Sequence, residues 1–151
     1  MSFCSDSMSD MKERIERIKA IQDNWMKSEF ASPASDSQIE TFEKKANVII
    51  PESYNDFLRL SNGAVLFGGD CELFSVDLND KFRINFDYSD GSVPDELLIL
   101  GYYNSKHICF DKRYDSFIFY EYENYDDIKE ECLAFSDFYE VMDYIIDIAV
   151  S

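Results

Sequence analysis

The sequence has few of the residues that interrupt regular structure, with 5 glycines and 3 prolines among 151 residues. Flexible linkers and low-complexity tracts need many more of them, so we expect neither. Hydrophobic residues make up 46% of the chain and aromatic residues 16%, which is too apolar for a disordered protein. A chain of this length can bury a core as one unit. We predict a disordered N-terminus over residues 1–8 and a single domain over residues 9–151.

The sequence also lacks a long apolar run. Its longest ones, Leu97–Leu100 and Val48–Ile50, are far shorter than the ~20 residues that a bilayer span needs. Met1–Asp10 has neither the basic nor the apolar region of a signal peptide. We therefore expect a cytoplasmic protein. The four cysteines form no CxxC pair, which favours reduced thiols, although the spacing alone leaves a disulfide open.

Residues suited to catalysis and metal binding are scarce. The single histidine, His107, shares a predicted strand face with Cys109, but no orienting carboxylate or oxyanion loop accompanies this pair, so we predict no enzyme. The spacings of zinc sites and of EF-hands are absent as well, and no metal or cofactor is expected. Gly68-Gly69 matches no phosphate-binding loop and is expected to form a hairpin turn. The 31 acidic residues supply many carboxylate pairs, but no pair stands out.

Basic residues are outnumbered: 14 stand against 31 acidic ones, for a net charge of −17. Residues 1–69 hold 11 acids and 8 bases, whereas residues 70–151 hold 20 acids and 6 bases. Such a surface repels nucleic acid and anionic membranes and accelerates the encounter with a basic partner. The alternative, that the acidity only maintains solubility, stays open at this point.

Three helical patterns come first. The first is predicted to begin at Asp10, which forms a capping box with Glu13, and to end before Pro33. Its apolar stripe consists of Met11, Ile15, Ile18, Ile21 and Trp25. Ser35 forms a second capping box with Gln38 and opens a helix whose face is Ile39, Phe42 and Ala46. The third helix is predicted to start at Pro51 and to stop, through a left-handed residue, at Asn62-Gly63.

Strand-like patterns follow. The predicted strands are Val65–Phe67, Glu72–Val76, Leu97–Tyr102, His107–Asp111 and Phe117–Tyr122, with Lys81–Phe86 either a further strand or an irregular segment. A last helix is predicted to be capped by Ser136 and to pack through Phe138, Val141, Ile145 and Ile148. The order predicts an α+β fold, with N-terminal helices, an antiparallel meander of about five to six strands and a C-terminal helix packed on the sheet.

The segment from Tyr120 to Glu131 combines six carboxylates with three tyrosines. Carboxylates bind Arg and Lys, and tyrosines are rigid anchors in protein interfaces. The predicted partner-binding residues are Tyr120, Glu121, Tyr122, Glu123, Tyr125, Asp126, Asp127, Glu130 and Glu131. The other interpretation, a solvated loop with its tyrosines turned inward, has equal weight from sequence.

Several motifs resemble one family. Ile39-Glu40-Thr41-Phe42-Glu43 is followed by Ile50-Pro51-Glu52-Ser53-Tyr54-Asn55-Asp56-Phe57-Leu58 and then by Asn62-Gly63. These segments resemble the "I-x-x-F-E", "P-x-x-Y-x-x-F-L" and "N-G" motifs of the SUKH superfamily, also called Smi/Knr-like. Supporting similarity lies at Glu72–Ser75, Leu97–Gly101 and Ser136–Ile145.

The resemblance implies an α+β fold without catalytic residues, in which the motif residues are structural. Many bacterial members of the superfamily are immunity proteins that block polymorphic toxins, often nucleases, and others are interaction modules of regulatory proteins. We therefore expect a basic toxin protein as partner, no binding to nucleic acid or membrane, and a monomer or weak dimer.

Overall fold

The computed structural model describes residues 3–21, 26–80, 82–85, 96–120 and 133–150, with side chains from Ser9 onward. The helices are α1 (Phe3–Lys19), α2 (Asp36–Ala46), α3 (Glu52–Leu58) and α4 (Phe138–Val150). The strands are β1 (Glu29–Phe30), β2 (Ala64–Leu66), β3 (Cys71–Leu73), β4 (Leu97–Tyr103), β5 (Lys106–Asp111), β6 (Ser116–Tyr120) and β7 (Ala134–Phe135).

All seven of these strands form one sheet in chain order, and each pairs antiparallel with the next. The predicted α+β class, the antiparallel meander and the C-terminal helix on the sheet are confirmed. The sheet is wider than the predicted five to six strands because β1 and β7 were missed. Each is two residues long, too short for an alternating pattern to be recognised.

The first helix differs from its prediction at both ends. It begins at Phe3 and ends at Lys19, so the predicted start at Asp10 is wrong. Asp10 and Glu13 are equally compatible with a helix interior, and no glycine or proline precedes them to stop the helix. Met11, Ile15 and Ile18 are buried as predicted, whereas Ile21 lies beyond the helix and Trp25 lies outside the described residues.

The capping box of α2 is confirmed. The Gln38 amide donates to Ser35 Oγ at 3.1 Å, and the Ser35 amide donates to Gln38 Oε1 at 2.8 Å. The predicted stop of α3 at Asn62-Gly63 is wrong, since the helix ends at Leu58. Gly63, with a φ of 92°, instead directs the chain into β2. Asn62 Oδ1 accepts a hydrogen bond from the Val76 amide at 2.9 Å and so holds the turn against the chain beyond β3.

Gly68-Gly69 lies in the turn between the antiparallel strands β2 and β3, as predicted. Asn104 and Ser105, with φ of 49° and 70°, join β4 to β5 in a turn of the left-handed type that matches strand twist. For Lys81–Phe86 the sequence left two alternatives, a strand or an irregular segment. Residues 82–85 are irregular and make one bridge, between Ser75 and Arg83. Lys81 and Phe86 lie outside the described part of the chain.

The start of α4 is capped by Asp137, whose Oδ1 accepts from the Glu140 amide at 3.0 Å. The predicted cap, Ser136, instead contacts the Glu140 carboxylate through its hydroxyl. Phe138 and Ile145 are buried as predicted, but Ile148 is 44% exposed and does not reach the core. The neighbouring Ala149 is partly buried against the core instead.

The helices pack on one face of the sheet. Phe138 of α4 lies 5.9 Å from Phe117 and 4.7 Å from Tyr54, measured between ring centroids. Tyr144 lies 5.4 Å from Phe119. Phe117 and Phe119 are two residues apart on β6, so they mark the helix-packed face.

Tyr54 joins α3 to the sheet. Its hydroxyl, fully buried, lies 2.6 Å from the Phe74 carbonyl oxygen and 3.1 Å from that of Leu100, and donates between them. Burial raises the pKa of Tyr54 well above its ordinary value. Leu100 lies where the β4–β5 register shifts between Ile99 and Gly101. Its carbonyl oxygen also accepts from the Phe74 amide at 2.8 Å, so the hydroxyl adds a second hydrogen bond at the irregularity and links it to α3. The motif tyrosine is therefore structural.

Candidate interaction surface

The predicted partner-binding segment lies mostly outside the described residues. Eight of the predicted residues are not described: Glu121, Tyr122, Glu123, Tyr125, Asp126, Asp127, Glu130 and Glu131. Their role in binding stays a prediction. The described strand β6 ends at Tyr120, so the segment follows directly from the sheet.

Tyr120 is the one predicted residue that the structure describes, and its side chain is 2% exposed within the core. Its burial contradicts a contact role for Tyr120, which needs an exposed ring. Composition alone places Tyr120 with its acidic neighbours, but the residue pairs with His107 of β5 and belongs to the sheet. For Tyr120 the inward-turned interpretation is the correct one.

His107 and Cys109 do not form an accessible catalytic pair. Cys109 is 0% exposed, so no substrate reaches its thiol. His107 is half-buried, and its ring meets Tyr102 edge to face at a centroid distance of 6.0 Å. His107 is therefore a half-buried residue of β5 with an aromatic neighbour.

A row of directly paired residues crosses the sheet on the face opposite α4. Its order follows the register from β1 to β6: Glu29, Val65, Glu72, Tyr102, His107 and Tyr120. Direct partners point to the same side of a sheet, and Tyr120 alternates with Phe117 and Phe119, which face the helices. Val65 and Tyr102 are each 38% exposed, whereas Tyr120 is buried. The row is therefore open toward β1 and closed toward β6.

A groove lies over the open end of this row. It has a volume of about 250 Å³. Its lining residues are Glu29, Phe30, Ala31, Asn62, Gly63, Ala64, Val65, Glu72, Leu73, Ser75, Asp80 and Phe82. Phe82, 41% exposed, stacks on Phe74 with centroids 6.4 Å apart and forms the wall beyond β3. We call this concavity the β1–β3 groove.

Three carboxylates line the β1–β3 groove, and none of the lining residues that the structure describes is basic. Asp80 is held in place because its Oδ1 accepts from the Phe82 amide at 2.9 Å and its Oδ2 from Ser75 Oγ at 3.2 Å. Glu29 and Glu72 make no ion pair or side-chain hydrogen bond with the described part of the chain. The groove therefore presents negative charge around an apolar floor.

Several arginines, by contrast, bind carboxylates of their own chain. Arg14 binds both oxygens of Asp143 at 2.9 Å, and Arg59 binds Asp36 and Glu52 at 2.9 and 2.7 Å. Burial lowers the pKa of Arg59, but the hydrogen bonds to these carboxylates outweigh it and raise the pKa overall. The positive charge of these arginines is neutralised within the chain. The excess carboxylates therefore give the rest of the surface its negative charge.

Two simple alternatives find no support in the described residues. No cluster of three or more His, Cys, Asp or Glu there could hold a metal ion. None of the helices searched combines the length and apolar character needed to cross a membrane.

Helices on one face of an antiparallel sheet, with an acidic groove over part of the other face, place the protein in the α+β class. Comparison with family models then gives the family: residues 33–141 match the model of the SMI1 / KNR4 family (SUKH-1). The match covers well over half of the chain, and the chain belongs to this family. No curated protein matches it. The matched range begins after β1, so Glu29 and Phe30 of the groove lie outside it.

The structure also shows structural roles of motif residues that the sequence did not reveal. Glu43 Oε2 accepts from the Ile50 amide at 2.9 Å and fixes the entry to α3. A Cβ on Gly101 would lie 2.4 Å from the Glu72 carbonyl oxygen, so only glycine fits there. The groove itself could not be predicted, since it combines residues from β1, β2, β3 and the segment beyond β3.

Proposed function

We propose that this chain is a non-catalytic immunity protein that acts in the cytoplasm. It binds and neutralises a cognate polymorphic toxin of basic character, which we propose to be a nuclease. The contact is made by the acidic surface of the C-terminal half, with Tyr122 and Tyr125 as anchors and the carboxylates between Glu121 and Glu131 as partners for Arg and Lys.

The observation that carries the proposal is the unequal distribution of charge. Residues 70–151 hold 20 acids against 6 bases, whereas residues 1–69 are close to balanced. A nuclease grips phosphates with positive charge, so its site attracts this half of the molecule. Steering of this kind raises association rates toward ~10⁸–10⁹ M⁻¹s⁻¹ at low salt. Rapid capture matters because a free toxin acts until it is bound.

Family membership supports a protein partner but leaves its nature open. The second candidate is a regulatory interaction module with no toxin partner. Both functions use binding without chemistry, and they differ only in what is bound.

The test is co-expression with the product of the adjacent open reading frame, followed by co-purification and a growth assay. We expect a stable complex and rescue of growth. Charge reversal at Glu121, Glu123, Asp126 and Asp127 should abolish both, because like charges then meet in the interface. A neighbour that is not toxic would favour the regulatory module.

The matched control reverses the charge at four exposed acidic residues of the N-terminal half: Asp10, Glu13, Glu16 and Glu40. This variant has the same net charge as the first. Equal loss of binding by both variants, or full binding by the first, would contradict a localised acidic contact.

A further inference from the structure

We propose that the β1–β3 groove is a second contact, which receives an extended protein segment with basic side chains on either side of an apolar one. This goes beyond the proposed function, which places the contact after β6. It needs no toxin, and it holds for any partner that carries such a segment.

The geometry of the groove favours side chains over a small ligand. Pockets for small molecules and cofactors have volumes of roughly 300–1,000 Å³, and the groove, at about 250 Å³, is smaller. It is shallow, because Val65 in its floor is 38% exposed. An extended chain places alternate side chains on one side, which suits an open trough across β1, β2 and β3.

The pattern of charge specifies which side chains fit. Val65 is the direct cross-strand partner of both Glu29 and Glu72. An apolar patch therefore has a carboxylate on each side, with Asp80 and Phe82 closing the far wall. Arg and Lys are complementary to these carboxylates, and their stems can pack along Val65 and Phe82.

The same charge disfavours a second copy of this chain as the occupant. The protein has a net charge of −17, so two copies repel each other. Anionic ligands, including nucleic acid and acidic peptides, are disfavoured in the same way. A basic segment of another protein is the occupant that the groove fits.

The experiment uses the full chain and a fluorescently labelled peptide in which arginine alternates with leucine, read by anisotropy. We expect saturable binding that weakens as salt rises. The double variant Glu29→Gln/Glu72→Gln should weaken binding about tenfold, which is the effect of losing about 1.4 kcal/mol. Val65→Arg should weaken it further, since it places a cation in the floor.

The matched control is Glu40→Gln/Asp147→Asn. It also removes two negative charges, but from exposed positions on α2 and α4 outside the groove. It should leave the affinity within about twofold of wild type, because the lost charges lie far from the peptide. Circular dichroism of each variant verifies the fold, and a peptide alternating glutamate with leucine verifies the sign of the charge.

The outcomes separate the two proposals. The proposed role of the groove would be overturned by any of three results. These are equal weakening by both double variants, no binding at ~1 mM peptide, and a dimer that buries Val65. None of these results touches the toxin contact, which is tested by the reversal at Glu121 to Asp127. Loss of toxin binding in that variant with peptide binding intact would support both contacts.

Discussion

The two faces of the sheet are built from the same strands and have opposite properties. On one face, Phe117 and Phe119 pack under α4, and Tyr54 fixes α3 to the sheet. On the other, Glu29, Val65 and Glu72 stand side by side and are wholly or partly exposed. The motif residues Phe42, Tyr54 and Phe57 belong to the core. The comparison teaches that the residues which identify the family maintain the fold, whereas the surface available to a partner lies elsewhere.

The largest expected effect is that of Gly101→Ala. The new methyl group would lie 2.4 Å from the Glu72 carbonyl oxygen, so β3 and β4 must separate. We expect a loss of about 3 kcal/mol or more in the free energy of unfolding, measured by urea titration. Gly69→Ala is the control. Nothing lies near its Cβ, but its φ is 102°, so backbone strain alone costs about 1–2 kcal/mol. Equal losses would show that the close approach at Gly101 is unimportant.

Tyr54→Phe should have the next largest effect. It removes a buried hydroxyl that donates to the Phe74 and Leu100 carbonyls, and we expect a loss of about 1–3 kcal/mol in unfolding free energy. Tyr114→Phe, at a side chain that is 47% exposed, is the control and should change stability by less than about 0.5 kcal/mol. If the two variants were equally stable, the hydroxyl would not fix α3 to the sheet.

Substitutions on the open face of the sheet, unlike those in the core, should have little effect on stability. Glu29→Gln/Glu72→Gln breaks no ion pair or side-chain hydrogen bond within the described residues, so unfolding free energy should stay within about 0.5 kcal/mol of wild type. Thermal unfolding of the variant and of the wild type measures this difference in stability. A destabilisation comparable to that of Tyr54→Phe would show that this face, too, holds the fold together, and the contrast between the faces would fail.

How much the sequence could predict follows the same division. The helix-packed side of the molecule could be predicted because its signals are local: the capping box at Ser35 and Gln38, and the apolar runs of β4 and β6. The stop of α3 was misplaced because a positive φ at Gly63 fits a turn as well as a helix end. The groove could not be predicted, since its pairs, such as Glu29 with Val65, depend on a two-residue strand without a pattern of its own.

The smallest expected effect concerns the buried thiols. Burial, with the charges of Glu72 and Asp70 adding to it, raises the pKa of Cys71, so its thiolate is scarce at pH 8. Cys109 is also fully buried. In a Cys4→Ser/Cys132→Ser variant, we expect no reaction with a disulfide reagent over minutes in the native state and full reaction in urea. Rapid native labelling would show that the sheet opens at β3 or β5.

The central claim is that the acidic half of the chain steers it onto a basic partner, and the association rate constant tests it most directly. Stopped-flow mixing with the purified partner should give a rate that falls by ~10-fold or more between ~20 and ~500 mM salt, while the dissociation rate changes little. A rate that stays constant across this range would contradict electrostatic steering and, with it, the account of what the acidic surface is for.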